Sequence, residues 1–281
     1  MKLILTLLAG SLLLSAQEPW DNPVKKLIKE GKPIIGATVT VASADVAAAL
    51  ANMGFDFLWI EMEHSPITLE TARNMVLATR GLKAVPFIRV PVNELWTAKR
   101  ALDAGALGVV FPFTSTPELA RQAAASTKYP PHGRRGAGPG LASLRWPAPE
   151  GYADFSDRNA VTIIIIEEAS AVERIDEIAA TPGVDVIFIG TNDLSYSMGF
   201  RGKTDNPTYQ AALKKVVSAA KKNGKPAGRP AGTPEQIKQY MAEGFTFFQG
   251  PSELNLMRGG ADSLLKALGK TGFDPKEKPL Y

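Results

Sequence analysis

The chain has 281 residues, 45% of them apolar and 21% charged, with a formal net charge of +4 at pH 7. Its 32 Lys and Arg residues are spread along the sequence, which argues against a nucleic-acid face, because such a face needs basic residues in a cluster. There is no Cys, so disulfides and cysteine-linked lipid anchors are excluded, and the cysteine count says nothing about compartment.

The chain opens MKLILTLLAGSLLLSAQ, a lysine before an apolar run from Leu3 to Leu14. The run is shorter than the roughly 20 apolar residues a spanning helix needs and fits a secretory signal peptide over residues 1–16. Leu14 departs from that pattern, since its place before a cut at Ala16 prefers a small residue. A buried N-terminal helix is the competing reading. The expectation is an exported protein, periplasmic or secreted, with no membrane span after processing; a cytoplasmic protein is the alternative. Residues 21–281 suit a single (β/α)8 barrel, which takes about 250 residues.

Asp21-Asn22-Pro23 reads as a helix start, with the helix running to Glu30 and ending at Gly31. Apolar, strand-like runs then alternate with helical segments. The predicted strands are Pro33–Val39, Phe55–Glu61, Ala84–Val90, Gly108–Phe113, Val161–Glu167, Val184–Gly190, Lys225–Gly228 and Phe245–Gln249. Predicted helices fall at Ala44–Asn52, Leu69–Arg80, Glu94–Ala104, Pro117–Ser126, Ser170–Ala180, Asn206–Asn223, Pro234–Glu243 and Ser252–Leu268. Runs such as Ile163-Ile164-Ile165-Ile166 have no polar alternation, as strands covered on both faces do. Eight alternations predict an α/β (β/α)8 TIM barrel with an extra N-terminal helix. No GxGxxG follows an early strand, so the competing open dinucleotide-binding sheet lacks its usual signature.

Charged residues gather where the predicted strands end. Glu61, Glu63 and His64 follow the second strand, Arg89 ends the third, Glu167 ends the fifth and Asp193 lies just past the sixth. In a barrel these ends share one reactive face. A carboxylate after four isoleucines must be paired, solvated or metal-bound, because an isolated buried charge is costly. Glu167 and Asp193 sit on adjacent strands, and oxygen ligands without Cys suit Mg²⁺ or Mn²⁺. A pair of solvated loop carboxylates is the other reading of the same residues.

The stretches FDFLWIEMEHSPI, FIRVP, LDAGALGVVFPF, KYPPHGRRGAG, IIIIEE and VDVIFIGTNDLSYSMG together resemble the HpcH/HpaI aldolases, from about residue 33 to 268. That resemblance implies a class II aldolase acting on 4-hydroxy-2-oxo acids, and a hexamer whose last helix packs on a neighbouring subunit. It implies a divalent cation (Mg²⁺ or Mn²⁺, with Co²⁺ as a further candidate) on Glu167 and Asp193. His64 would be the acid/base and Arg89 would contact the enolate oxygen. Asp103 of a neighbouring subunit would orient the histidine. Gly190 and Asn192 would meet a substrate carboxylate, Arg135 a distal one, and Glu61 and Glu63 would hold metal-bound water. The implied partners are a small 2-oxo acid and an aldehyde.

The implied reaction is cleavage of the C3–C4 bond to pyruvate and an aldehyde, with the electron pair delocalised into the 2-oxo group. A Schiff-base mechanism needs a lysine at the mouth; Lys83, Lys99 and Lys225 end no strand. The chain departs from the family pattern at several places. Ile165 stands where Gln is frequent, Glu61 and Glu253 where Asp is usual, Thr191-Asn192 precedes Asp193, and Arg229-Pro230 follows the seventh strand. These changes predict altered substrate selection. Trp59, Trp96 and Met198 are read as packing, His132 and Arg134 as exposed loop. An exported 2-oxo-acid binder without turnover and a citrate-lyase-like CoA-thioester lyase are the alternatives.

Overall fold

The computed structural model describes residues 20–146 and 148–270. The expected signal peptide lies outside the described residues. Eight parallel strands close into a barrel in sequence order, which bears out the predicted fold. The order is α1 (Pro23–Glu30), β1 (Ile34–Val39), α2 (Ala44–Ala51), β2 (Phe57–Glu61), α3 (Leu69–Ala78), β3 (Val85–Arg89) and α4 (Leu95–Asp103). It continues with β4 (Gly108–Phe111), α5 (Pro117–Ser126), α6 (Ala142–Arg145), α7 (Tyr152–Asn159), β5 (Val161–Ile166), α8 (Ala169–Glu173) and α9 (Ile175–Ala179). Then come β6 (Val186–Ile189), α10 (Thr191–Ser197), α11 (Pro207–Lys222), β7 (Ala227–Pro230), α12 (Pro234–Ala242), β8 (Phe247–Ser252) and α13 (Glu253–Ala267).

Each strand splits its residues between two cores with a period of two. Phe57, Trp59, Phe87, Ile163, Ile165, Phe188 and Phe247 fill the barrel. Leu58, Ile60, Ile88, Ile164, Ile166, Ile189 and Phe248 face the helices. Inside, the Phe57 ring lies 4.7 Å from Phe247 and 5.0 Å from Phe87, centroid to centroid. Gly36 and Gly108 make room for these rings: a Cβ at either would stand 2.3 Å from a phenyl carbon. Val24 of α1 joins the interior cluster, so α1 closes the N-terminal end. Asn22 caps α1 by accepting from the Val24 N–H at 3.0 Å, and its backbone N–H donates to Asn159 at 2.7 Å.

Three differences from the sequence reading bear on the site. The predicted helix 170–180 is two helices broken at Arg174. Helices α6, α7 and α10 were not expected; each is short, below the length at which helical periodicity shows. Strand β7 begins two residues later than predicted and takes in Arg229 and Pro230. The Arg229 guanidinium stacks 3.5 Å over the Tyr240 ring and lies 3.7 Å from Glu243. It therefore faces α12, and the expectation that it alters the mouth is corrected.

Candidate active site

A cavity of about 300 Å³ opens at the C-terminal ends of the strands. Trp59, Ile165 and Phe188 line it alongside His64, Arg89, Glu167 and Asp193. The four predicted charged residues from β2, β3, β5 and β6 therefore meet in one place. No lysine is among the residues lining it.

Arg89 ends β3 and is the hub. Its Nη1 lies 3.3 Å from Glu61 Oε2, its Nη2 pairs with Glu63 Oε2, and Nη2 stands 3.9 Å from Glu167 Oε2. Glu61 is saturated. Its Oε1 accepts from the backbone N–H groups of Glu63 (2.7 Å) and His64 (3.0 Å), and Oε2 from Trp59 Nε1 (3.1 Å) and Arg89. Four donors fill the acceptor sites of a carboxylate. Glu61 thus shapes the turn that carries His64, which corrects the expectation that it holds metal-bound water. Glu63 remains available for that role. Burial pushes its carboxyl up to about 7, opposed by Arg89 and reinforced by Glu61 and Asp193.

Glu167 directly follows the four isoleucines of β5 and is 1% exposed. Its Oε1 accepts from the Phe113 N–H. Phe113 holds a φ of 47°, a left-handed conformation that costs roughly 1–2 kcal/mol for a residue with a Cβ. That conformation presents its N–H to the carboxylate. Glu167 Oε2 is buried with no hydrogen-bond partner among the described residues. Burial lifts the Glu167 carboxyl to about 7; the Phe113 N–H and Arg89 oppose the rise, and Glu63 and Asp193 add to it. Gly190 is required beside it, because a Cβ there would sit 2.7 Å from Glu167 Oε2.

Asp193 lies in the first turn of α10, which starts straight after Gly190. Tyr209 Oη donates to the Thr191 carbonyl at 2.9 Å and ties that turn to α11. Gly190, Thr191 and Asn192 line the same cavity. The first-turn N–H groups of a helix have no partner within it, so this wall offers donors to an anionic ligand.

The residues present fit a divalent cation. Glu61, Glu63, Glu167 and Asp193 gather with Arg89 as the one guanidinium among them, and Glu167 Oε2 is buried without a hydrogen bond among the described residues, as is Glu63 Oε2 apart from its ion pair with Arg89. Among the described residues no three His, Cys, Asp or Glu side chains cluster at ligand spacing. Glu167 and Asp193 would be its two protein ligands, leaving the remaining positions to water and substrate, as Mg²⁺ and Mn²⁺ accept.

Other predicted residues lie elsewhere. The His64 imidazole is exposed, with Glu63 Oε2 3.8 Å from its Nε2; Asp103 does not meet it within this chain. Asp103 instead pairs with Arg135 at 2.7 Å. Arg135 is fully buried, donates to Ser156 Oγ at 2.7 Å and stacks 4.5 Å over the Tyr129 ring. Both terminal nitrogens are engaged, the side chain is buried, and Arg135 is not among the residues lining the cavity, so the expectation that it meets a distal substrate carboxylate is corrected for the site within this chain. Glu253 accepts from the Thr40 and Val41 N–H groups and anchors the loop after β1. Trp59 packs inside the barrel and also walls the cavity, whereas Trp96 is 51% exposed and not core. Met198 is partly buried against the outer core, and His132 and Arg134 are exposed. Phe188, Thr191, Pro230 and Gln249 line the cavity without having been singled out as ligand contacts in the sequence. Inward strand parity marks Phe188, Pro230 and Gln249, whereas Thr191 opens α10.

The chain is similar to known proteins over most of its length. Over 242 residues the chain is 36% identical to a 2-dehydro-3,6-dideoxy-6-sulfogluconate aldolase of Pseudomonas putida, covering 86% of this chain and 95% of that protein. It is 37% identical to a hydroxypyruvate/pyruvate aldolase of Paraburkholderia phytofirmans, over 81% of this chain and 90% of the relative. A solved structure from Burkholderia cenocepacia, described as an HpcH/HpaI aldolase/citrate lyase family protein, superposes with a TM-score of 0.81. It is 30% identical and covers 89% of this chain and all of that one. The family model for HpcH/HpaI aldolase/citrate lyase matches residues 35–259, and the chain belongs to that family.

Proposed function

We propose that the chain is a divalent-metal-dependent class II aldolase that cleaves a 4-hydroxy-2-oxo acid, sugar-acid-like in character, to pyruvate and an aldehyde, reversibly. Aldolase-named relatives at 36–37% identity over most of the chain carry the carbon–carbon lyase assignment. The observation that carries the metal dependence is the buried Glu167 Oε2 without a donor, in one cavity with Asp193 and Arg89.

In cleavage, the C4 hydroxyl loses its proton, the C4–O bond becomes a carbonyl, and the C3–C4 pair moves into the 2-oxo group as an enolate. A proton then adds to C3 and gives pyruvate. His64, exposed at the rim, takes the C4 proton through a water and returns it. Arg89, clamped by Glu61 and Glu63, sets a fixed positive charge beside the developing enolate oxygen. The first turn of α10 binds the substrate carboxylate through the N–H groups at Thr191 and Asn192. The bound cation would supply Lewis acidity at the 2-oxo oxygen. Asp103 of a neighbouring subunit orients His64 within a homo-oligomer, a hexamer by the family resemblance. Export by residues 1–16 places the reaction outside the cytoplasm; among the described residues no helix is long and apolar enough to cross a membrane.

Purified protein incubated with Mn²⁺, pyruvate and a panel of short aldehydes tests the reading. The expected result is aldol product that chelation abolishes and added Mn²⁺ restores. No product with any aldehyde, together with tight 2-oxo-acid binding, would replace the aldolase with a binding protein.

A further inference from the structure

On β8, Phe247 points into the barrel and Phe248 toward the helices, so Gln249 points inward again. It lines the cavity at the mouth. Its register partners are Pro230 on β7 and Gly36 on β1. Ile165 pairs with Phe188, Phe188 with Gly228, and Gly228 with Phe247. One inward step above that row stand Glu167, Gly190, Pro230 and Gln249. Gln249 is thus level with the proposed metal ligand Glu167, three strands round the barrel.

The walls nearest this level are apolar. Trp59 has its single donor spent on Glu61. Ile165, Phe188 and Pro230 offer no side-chain hydrogen bond. Gly36 contributes no side chain, and the Phe57 ring fills the space beneath it. Gln249 is half-buried there, its amide facing the cavity with no side-chain hydrogen bond to the described residues. The resemblance places an amide on β5, where this chain has Ile165; here an amide stands on β8 instead.

In a donor held by its carboxylate and 2-oxo oxygen beside Glu167 and Asp193, C3 would reach the part of the same cavity that Pro230 and Gln249 line. In pyruvate C3 is a methyl group, which the apolar residues suit and the amide does not. We propose that Gln249 is a specificity-determining residue that hydrogen-bonds a hydroxyl on C3 of the donor, so that the preferred donor is a 3-hydroxy-2-oxo acid of the hydroxypyruvate type. This rests on the aldolase reading for the pose of the donor. Sites built to bond a hydroxyl reject the analogue that lacks it, because the protein group is then left unpaired.

The test is calorimetric titration of Mn²⁺-loaded protein with hydroxypyruvate and with pyruvate, for wild type, Gln249→Met and Gln249→Ala, with circular dichroism to verify folding. Turnover of each donor with glycolaldehyde is measured on the same samples. Wild type is expected to bind hydroxypyruvate at least about 10-fold more tightly than pyruvate, and in both variants that ratio collapses toward unity. Equal binding of the two donors by wild type, or a preference that survives both substitutions, overturns the role of Gln249 while turnover of either donor leaves the aldolase reading standing. A collapsing binding preference without any turnover supports the inference and removes the aldolase. Binding of neither donor overturns both.

Discussion

The lower half of the barrel interior and its mouth are built from the same strands, two to four residues apart, and obey opposite rules. Below, Phe57, Phe87 and Phe247 stack with no exposed surface. Above, β2 delivers Glu61, β3 delivers Arg89 and β8 delivers Gln249. The lower layer gains stability from apolar burial. The upper layer gathers carboxylates around a single guanidinium and leaves Glu167 Oε2 buried without a hydrogen bond among the described residues. Stability and chemistry are therefore separable by position along a strand, and substitutions should divide accordingly.

The largest stability effect belongs to the lower layer. Phe57→Ala is expected to cost about 3–5 kcal/mol, read as a lowered midpoint in urea unfolding, with the metal affinity of the folded fraction retained. Next is Gly190→Ala, whose Cβ would meet Glu167 Oε2 at 2.7 Å. Overpacking there costs about 1–3 kcal/mol, and the displaced carboxylate should weaken Mn²⁺ binding, measured by titration of metal-free protein. If Gly190→Ala binds Mn²⁺ as wild type does, the division between the two layers breaks.

Glu61→Gln probes the boundary. An amide nitrogen cannot accept from the donors that the lost oxygen served, so one of the pairs with Arg89 and Trp59 or with the His64 turn is broken. A loss of roughly 10–100-fold in turnover is expected, the scale for groups that orient active-site residues. Smallest is Arg229→Ala on β7. Its guanidinium faces Tyr240 and not the cavity, so a cost of about 0.5–2 kcal/mol in stability with turnover unaltered sharpens the comparison.

The barrel is legible in the sequence because the first six strands are largely apolar runs bounded by turn residues, and because Asn22, Thr116-Pro117 and Thr233-Pro234 punctuate the helices as caps and first-turn prolines. The gathering of Glu61, His64, Arg89, Glu167 and Asp193 was legible for a related reason: each stands at or just beyond the end of an apolar run. What stayed hidden is the face that each strand residue takes. Strands buried on both sides lack alternation, so identical neighbours such as Phe247 and Phe248 fall in different cores. For the same reason the sequence alone does not distinguish Arg229, which faces α12, from Gln249, which faces the cavity. The Arg135–Asp103 pair joins the loop after α5 to the end of α4, 32 residues apart in sequence, a contact that no local pattern encodes.

The central claim is that Glu167 and Asp193 share one divalent cation. Crystals grown with Mn²⁺ and measured at a wavelength where manganese scatters anomalously test it directly. The account predicts a single strong anomalous peak within about 2.0–2.4 Å of both carboxylates, since Mg²⁺- and Ca²⁺-type oxygen ligation spans roughly that range. A peak elsewhere, or a Mn²⁺-dependent enzyme with no peak between these two carboxylates, would contradict it.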